Sequence, residues 1–133
     1  MIPRTLFSSE HELFRQSVRT FLEKDAAPFH GQWEKQGYID RNLWNKAGEA
    51  GMLCSHLPEE YGGLGADFLY SAVVIEEISR LGLTGIGFSL HSDIVAPYIL
   101  HYGSEALKHK YLPKLISGEM VTAIAMTEPG AGS

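Results

Sequence analysis

The last nine residues, AMTEPGAGS, have the composition of a turn that holds a ligand. Pro129 and Gly130 favour a tight turn, and Gly130 and Gly132 carry no side chain that would keep a ligand away from the backbone. Successive amides in such a turn can bind an anion, and Thr127 and Ser133 add hydroxyls that donate or accept hydrogen bonds. The same residues are also typical of a β-turn that leads into another strand, so both interpretations stay open at this point.

Other residue types that could carry chemistry are not arranged for it. The glycine spacings fit neither a dinucleotide-binding G-x-G-x-x-G motif nor a P-loop. The single cysteine, Cys54, lies among apolar residues, which predicts a buried thiol and excludes an internal disulfide. Histidine, serine and aspartate adjoin at 91–93, but neighbours on a helix point in different directions and do not form a triad.

Acidic and histidine residues give no stronger signal. Glu76 and Glu77 are interpreted as carboxylates at the edge of a helix rather than as an acid/base pair. The histidines lack the spacing of metal ligands, so no metal site is predicted and we interpret them as surface or core side chains. They are His11, His30, His56, His91, His101 and His109.

The overall composition predicts a globular protein. Hydrophobic residues make up 44% of the sequence and charged residues 20%, which is too apolar for a disordered chain. The net charge of −5, with scattered lysines and arginines, argues against a nucleic-acid-binding surface. The longest apolar run, IVAPYIL, is too short to cross a bilayer, no signal peptide is recognised, and a lone cysteine fits a reducing compartment.

Helical periodicity runs through most of the sequence. Apolar residues recur three and four positions apart, and capping residues and glycines mark the ends of six predicted helices. Ser9 and Glu12 have capping-box spacing at the first helix, and Pro97 is expected to kink or break the fifth. The predicted helices span 8–24, 27–37, 40–51, 68–81, 86–102 and 104–118.

The pattern changes after residue 119. The stretch MVTAIAMTE, at 120–128, alternates with a period of two and predicts a β-strand. A lone strand leaves its backbone groups without ladder partners, so it would belong to a second, β-rich unit. The sequence therefore predicts a helical domain at 1–119, followed at 120–133 by the first strand and loop of a domain that the chain does not contain. The two faces of the strand would carry Val121, Ala123, Ala125 and Thr127, and Thr122, Ile124 and Met126.

Five segments occur in the order found in one enzyme family. They are EHELFRQSVRTFLEKDAAP, LPEEYGGLGAD, VVIEEISRLG, HSDIVAPYILHYGSEALKHKYLPKLISGE and AIAMTEPGAGS. Over nearly its whole length the chain resembles the N-terminal domain of acyl-CoA dehydrogenases, and it is most similar to the long-chain branch. The resemblance implies an all-α fold, a bundle of about six helices with a terminal β-strand that begins a middle β-barrel, and about a third of the family's usual length.

The resemblance also implies a reaction, the α,β-dehydrogenation of a fatty acyl-CoA to the trans-2-enoyl-CoA. A carboxylate takes the α proton, FAD takes the β hydride, and an electron-transfer flavoprotein is the electron acceptor. The family's catalytic glutamate lies in its C-terminal part and has no match here, and Glu128 is not the base. The chain alone is therefore expected to be inactive. Family members are commonly homo-oligomers, and the expected location is the bacterial cytoplasm, or the mitochondrial matrix for a processed eukaryotic protein.

The resemblance places the flavin contacts in the last ten residues. Thr127 would hydrogen-bond the flavin ring, Met126 would pack against it, and Gly132 and Ser133 would approach its side chain and pyrophosphate. Ser133 would also touch the acyl-CoA. The whole stretch expected to contact FAD is Ile124, Ala125, Met126, Thr127, Glu128, Pro129, Gly130, Ala131, Gly132 and Ser133.

Two predicted helices, 68–81 and 86–102, resemble those that line the family's acyl pocket. Candidates for contact with the acyl tail are Phe88, Leu90, Ile94 and Val95, although for any one of them a plain core position is the more common role of such a residue. The alternative function is a helical interaction module that keeps the family fold without the chemistry. Such a module would bind a partner through the face that normally packs on the barrel.

Overall fold

The structure is a computed structural model that describes residues 4–131. This part of the chain contains six α-helices, a 3₁₀ turn at Glu59–Tyr61 and a π-helical turn at Leu90–Val95. The all-α fold predicted from the sequence is confirmed. The α-helices are α1 (Ser9–Asp25), α2 (Ala27–Gln36), α3 (Arg41–Glu49), α4 (Phe68–Arg80), α5 (Ala96–Tyr102) and α6 (Glu105–Ile116).

The helix ends follow capping chemistry, with one correction at the start of α1. The capping box pairs Ser8 with His11, one residue earlier than the predicted pair of Ser9 and Glu12, because Ser8 is extended and Ser9 already lies in the helix. The Ser8 N–H donates to Nδ1 of His11 at 3.0 Å, and the His11 N–H donates to the Ser8 hydroxyl. Gly37 ends α2 in the left-handed conformation, at φ 84°, as its position predicts.

Two apolar clusters hold the helices together. The larger lies among α1 to α4, where the rings of Trp44 and Phe88 meet with centroids 4.9 Å apart. The smaller joins α5 and α6 to the 3₁₀ turn and the loop before it, and contains Cys54, Leu57, Tyr61, Ala96, Leu112 and Leu115. Burial of these side chains supplies the main driving force for folding.

Residues 88–102 of the predicted fifth helix are helical without a break, and the kink or break expected at Pro97 takes the form of a change of helix type just before it. A π-helical turn, Leu90–Val95, precedes α5, and Pro97 lies in the first turn of α5. In continuous α-helical geometry the ring of Pro97 would collide with the carbonyl of Asp93, and the wider π turn avoids this. The turn leaves His91 fully buried and Ile94 45% exposed.

The predicted strand at 120–128 is wrong: residues 4–131 contain no β-strand, and 121–128 have no regular secondary structure. No second strand in this range can pair with the segment, and a strand needs a ladder partner. The predicted alternation survives only at its start, where Thr122 and Ile124 are half-buried. Met126, predicted on the same face, is 75% exposed because the chain has left the helical body by then. We call residues 120–131 the closing segment.

A glycine fixes where the closing segment leaves the helices. Gly118 has φ 72°, and a Cβ there would overlap the carbonyl oxygen of Trp44, so only glycine lets α6 end this close to the backbone of α3. The Met120 N–H then donates to the Lys114 carbonyl at 3.0 Å, and Arg41 donates to the Glu119 carbonyl. The closing segment therefore starts from a defined position on the body.

Candidate functional site

The closing segment is held on the helical body by a buried histidine. Nε2 of His91 donates to the carbonyl oxygen of Leu115 at 3.0 Å, at the end of α6. Its Nδ1 therefore carries no proton and accepts from the Thr122 hydroxyl at 3.0 Å and the Thr122 N–H at 3.3 Å. Burial lowers the pKa of His91 from its usual value, so the ring is neutral at neutral pH.

Beyond Thr122 the segment is open to solvent. The Ala131 N–H donates to the Glu128 carbonyl at 2.9 Å, which closes the turn predicted at Pro129 and Gly130. Within the described part of the chain, the backbone of 123–127 makes no hydrogen bond. Its amides and carbonyls are thus available to a ligand.

The exposed stretch suits the flavin that the resemblance implies. Thr127 is exposed with its hydroxyl and backbone groups unpaired among the described residues, and Met126 offers an apolar side chain beside them. A Cβ at Gly130 would meet no atom within 4 Å, so the turn is unobstructed on that side. A flat ring with polar edges needs this combination of apolar contact and backbone hydrogen bonds. Gly132 and Ser133 lie outside the described residues.

The four candidates for contact with an acyl tail are placed differently. Phe88 is 1% exposed and packs on Trp44, so a ligand would reach it only by displacing core side chains. Leu90 and Ile94 are 37% and 45% exposed on the outer side of the π turn, and Val95 is half-buried. A shallow pocket of about 310 Å³ continues from them along α5, lined by Asp93, Ile94, Pro97, Tyr98, His101 and Tyr102.

Polar groups beneath this pocket are not satisfied within the described residues. Both ring nitrogens of His56 and Oδ1 of Asp93 are buried without a hydrogen-bond partner. Burial lowers the pKa of His56 and raises the pKa of Asp93. Buried polar atoms without partners cost stability, so this side of the molecule is less well satisfied than the rest.

A second cleft, of about 570 Å³, lies between α1 and α4 and is lined by ion pairs. Glu77 is 2% exposed, which corrects its interpretation as a carboxylate at the helix edge. Its oxygens lie 2.9 Å from Arg19, 2.8 Å from Arg80 and 3.4 Å from Arg15. The hydrogen bonds from Arg19, with those from Arg80 and Arg15, lower the pKa of Glu77 to about 2. A carboxylate held in this way cannot serve as a general base near neutral pH.

The remaining candidates are accounted for by structure. Cys54 is buried, and burial raises the pKa of its thiol to about 12, so it is not a nucleophile. Within residues 4–131 no three His, Cys, Asp or Glu side chains converge as metal ligands would. No helix in the same range has the length and hydropathy needed to span a membrane.

Sequence reasoning missed the contact between His91 and Thr122. The 91–93 triplet does not form a triad, and nothing in the local sequence indicates that its histidine faces a residue 31 positions later. The available signal was a histidine within an apolar helical stretch, which needs hydrogen-bond partners when buried.

Comparison with known proteins identifies relatives along the whole chain. The family model for the N-terminal domain of acyl-CoA dehydrogenases matches residues 8–119. The mitochondrial long-chain specific acyl-CoA dehydrogenase of Rattus norvegicus is 50% identical over 130 residues, which are 98% of this chain and 30% of that protein. This agrees with the resemblance to the long-chain branch.

Solved structures agree with the sequence comparison. An acyl-CoA dehydrogenase from Geobacillus kaustophilus superposes with a TM-score of 0.92 at 53% identity, over 98% of this chain and 34% of that one. An acyl-CoA dehydrogenase from Bacillus anthracis, complexed with FAD, gives a TM-score of 0.86 at 38% identity, over 98% and 23%. The chain thus spans between 23% and 34% of the length of these relatives.

Proposed function

Because the family model covers most of it, the chain belongs to the acyl-CoA dehydrogenase family, and we propose that it forms one wall of the FAD and acyl-CoA site of such an enzyme. The reaction would be the α,β-dehydrogenation of a fatty acyl-CoA. The observation that carries the proposal is the closing segment, an exposed stretch with unpaired backbone groups that ends in a tight turn and is anchored to the body at Thr122.

Each part of the closing segment has a proposed task. Thr127 would hydrogen-bond the edge of the flavin ring, and Met126 would cover part of the ring and keep water from it. The turn at Pro129 and Gly130 would bring backbone close to the flavin side chain. FAD, when bound, supplies the acceptor for the hydride that leaves the β carbon.

Acyl-tail contact is proposed for the exposed residues of the π turn. Leu90 and Ile94 lie on the same turn as His91, so the apolar surface and the anchor of the closing segment are parts of one element. A hydrocarbon tail placed on them would remove apolar area from water on both partners. Val95 would contribute at the edge, and Ser133 would contact the acyl-CoA.

The catalytic base is not proposed among the described residues. Glu77 is held by arginines, and Glu128 lies exposed at the turn with no neighbouring group that positions it as a base. We expect the base, the rest of the flavin site and any homo-oligomer contacts in the parts of the relatives that this chain does not span. An electron-transfer flavoprotein is the expected acceptor, and the bacterial cytoplasm or the mitochondrial matrix is the expected location.

Equilibrium dialysis of the chain against FAD tests the proposal. One wall of a site is expected to bind weakly, with Kd on the order of 1 mM. Thr127→Ala should raise this Kd about five-fold through the loss of one hydrogen bond, whereas Thr20→Ala, on the exposed side of α1, should leave it unchanged. No turnover of acyl-CoA is expected. Absence of FAD binding at several millimolar, or equal Kd values for both variants, would contradict the proposal.

A non-catalytic interaction module is the second candidate. The observation that favours it is the exposed aromatic pair on α5, Tyr98 at 54% and Tyr102 at 82%. Exposed apolar surface of this kind promotes association. Sedimentation velocity distinguishes the two functions: strong self-association without any FAD binding would favour the module, and FAD binding by a monomer would favour the enzyme wall.

A further inference from the structure

We propose that His91 is a positioning residue that holds the closing segment on the helical body only while its Nδ1 is unprotonated. The contact joins three parts of the molecule: the π turn that carries His91, the end of α6 at Leu115, and the closing segment at Thr122. Its relevance to cofactor binding rests on the proposed function, but the contact itself can be tested without a cofactor.

The position of Thr122 explains why this contact can determine the direction of the closing segment. Among the described residues, Thr122 is the last one hydrogen-bonded to the helical body. The stretch proposed to meet the flavin begins directly after it. The preceding attachments, at Glu119 and Met120, fix where the segment starts but not the direction in which it continues. Release of Thr122 would therefore free the segment from 121 onward to pivot.

The contact depends on one tautomer of the histidine. Leu115 offers only a carbonyl oxygen, so Nε2 must carry a proton. Thr122 presents a backbone N–H to Nδ1, so Nδ1 must be an acceptor. Protonation of Nδ1 would bring two N–H groups face to face. The hydroxyl of Thr122 could rotate to accept, but the backbone N–H could not, and that bond would be lost.

The surroundings of His91 favour the neutral ring. The charged groups that face it are Arg41, from α3, and Asp93, from its own turn, with opposite effects on the pKa. The other neighbours, Trp44 from α3 with a ring centroid at 5.3 Å, Leu115 and Thr122, are uncharged. Burial is the largest influence and lowers the pKa from 6.5, so the contact is complete at neutral pH and is lost only on acidification below the usual histidine range.

Two substitutions separate the contacts of the ring. His91→Asn places an amide oxygen near the position of Nδ1, so it keeps an acceptor for Thr122 and loses the bond to Leu115. His91→Gln reaches Leu115 and leaves Thr122 without an acceptor. The readout is hydrogen exchange of the Thr122 amide by NMR at pH 7. We expect exchange about ten-fold faster in the Gln variant and close to wild type in the Asn variant.

Ser92→Ala is the matched control. Ser92 lies on the same turn, is buried, and accepts from the Cys54 N–H at 3.0 Å, and it makes no hydrogen bond to the described part of the closing segment. It should lower overall stability while the Thr122 amide keeps its protection relative to amides of the body. Equal loss of protection at Thr122 in the Ser92→Ala and His91→Gln variants would overturn the proposal, because His91 would then act only through stability.

A pH series on the unaltered chain is a second test, and it does not depend on whether a substituted chain folds. Thr122 exchange, corrected for the intrinsic pH dependence, should rise with the protonation of His91 observed in its ring NMR signals, while core amides such as Leu112 stay protected. Thr122 protection that is unchanged across that titration would overturn the proposal. A chain that shows this behaviour but binds no FAD would refute the proposed function alone, and the reverse result would refute the role of His91 alone.

Discussion

Two regions of the molecule differ in how completely their polar groups find hydrogen-bond partners within the described residues. Between α1 and α4, the arginine–glutamate seam encloses a buried carboxylate with three guanidinium partners. The surface formed by the π turn and α5, which we call the α5 face, exposes apolar side chains and buries polar atoms that have no hydrogen-bond partner among the described residues. It adjoins the closing segment, whose backbone at 123–127 makes no hydrogen bond within the same range. The charged groups of the seam are paired with one another. The α5 face, in contrast, has the properties of a surface that a ligand or more protein covers.

The largest effect is expected from Gly118→Ala, which would destabilise the helical body to which both regions belong. The new Cβ would overlap the Trp44 carbonyl, at a left-handed φ of 72°. We expect a loss of about 3–5 kcal/mol in the free energy of unfolding, measured by urea titration. Gly37→Ala is the control, since it has φ 84° but open space, and should cost about 1–2 kcal/mol. Equal costs for both would show that the close approach is unimportant.

The next effect tests the seam itself. Glu77→Gln removes the charge that three arginines share and should lower the free energy of unfolding by about 2–3 kcal/mol. The loss is not larger because Arg19 and Arg80 are partly exposed, so water can solvate their charges in the variant. Glu34→Gln, at an exposed carboxylate, should change it by less than about 0.5 kcal/mol. A Glu77 variant as stable as wild type would mean that the seam contributes packing only.

Acid should lower the stability of the fold in two separate pH ranges, one for each region. His91 and His56 have lowered pKa values, so their contribution is complete above 6.5 and is lost as pH falls through their folded-state pKa values. Asp93, with a raised pKa, acts in the opposite direction. The contribution of Glu77 is present above 4.5 and is lost as pH falls toward 2. Urea midpoints measured from pH 8 to 2 should therefore fall in two phases.

Glu77→Gln provides the check on that assignment. It should remove the phase below pH 4.5 and leave the histidine phase intact. A variant that loses both phases, or neither, would contradict the division of acid sensitivity between the seam and the α5 face.

The smallest effect on stability is expected on the α5 face. Ile94→Ser should change the free energy of unfolding by less than about 0.5 kcal/mol, because the side chain is already 45% exposed. It should nevertheless weaken binding of a long-chain acyl-CoA, measured by calorimetry, about three-fold. Leu13→Ser, equally apolar and 64% exposed on α1, should leave that binding unchanged. Equal weakening by both variants would indicate non-specific association.

The parts of the fold that depend on local chemistry could be predicted from the sequence. The six helices, the stop at Gly37, the change of helix type before Pro97 and the turn at Pro129 and Gly130 all follow from residues within a few positions of one another. The strand at 120–128 failed because a strand is defined by a partner that no local pattern supplies.

Groups that meet across long separations could not be predicted. Arg15 and Glu76 are 61 positions apart, and His91 meets Thr122 across 31. Charged or polar residues at such distances carry no periodic signal that pairs them. The glycines and the family resemblance indicate the candidate flavin stretch. His91, which anchors that stretch, is identified only by the packing of α6 against the π turn.

The most direct test of the account is an NMR map of where FAD binds. The amide signals of the uniformly labelled chain would be followed during titration with FAD to several millimolar. We expect shifts confined to 123–131 and to the neighbouring π turn at Leu90 and Ile94, with the signals of the arginine–glutamate seam unchanged. Shifts concentrated at Arg15, Arg19 and Arg80 would show that the flavin binds only as an anion, and together with silence in the closing segment would contradict the account.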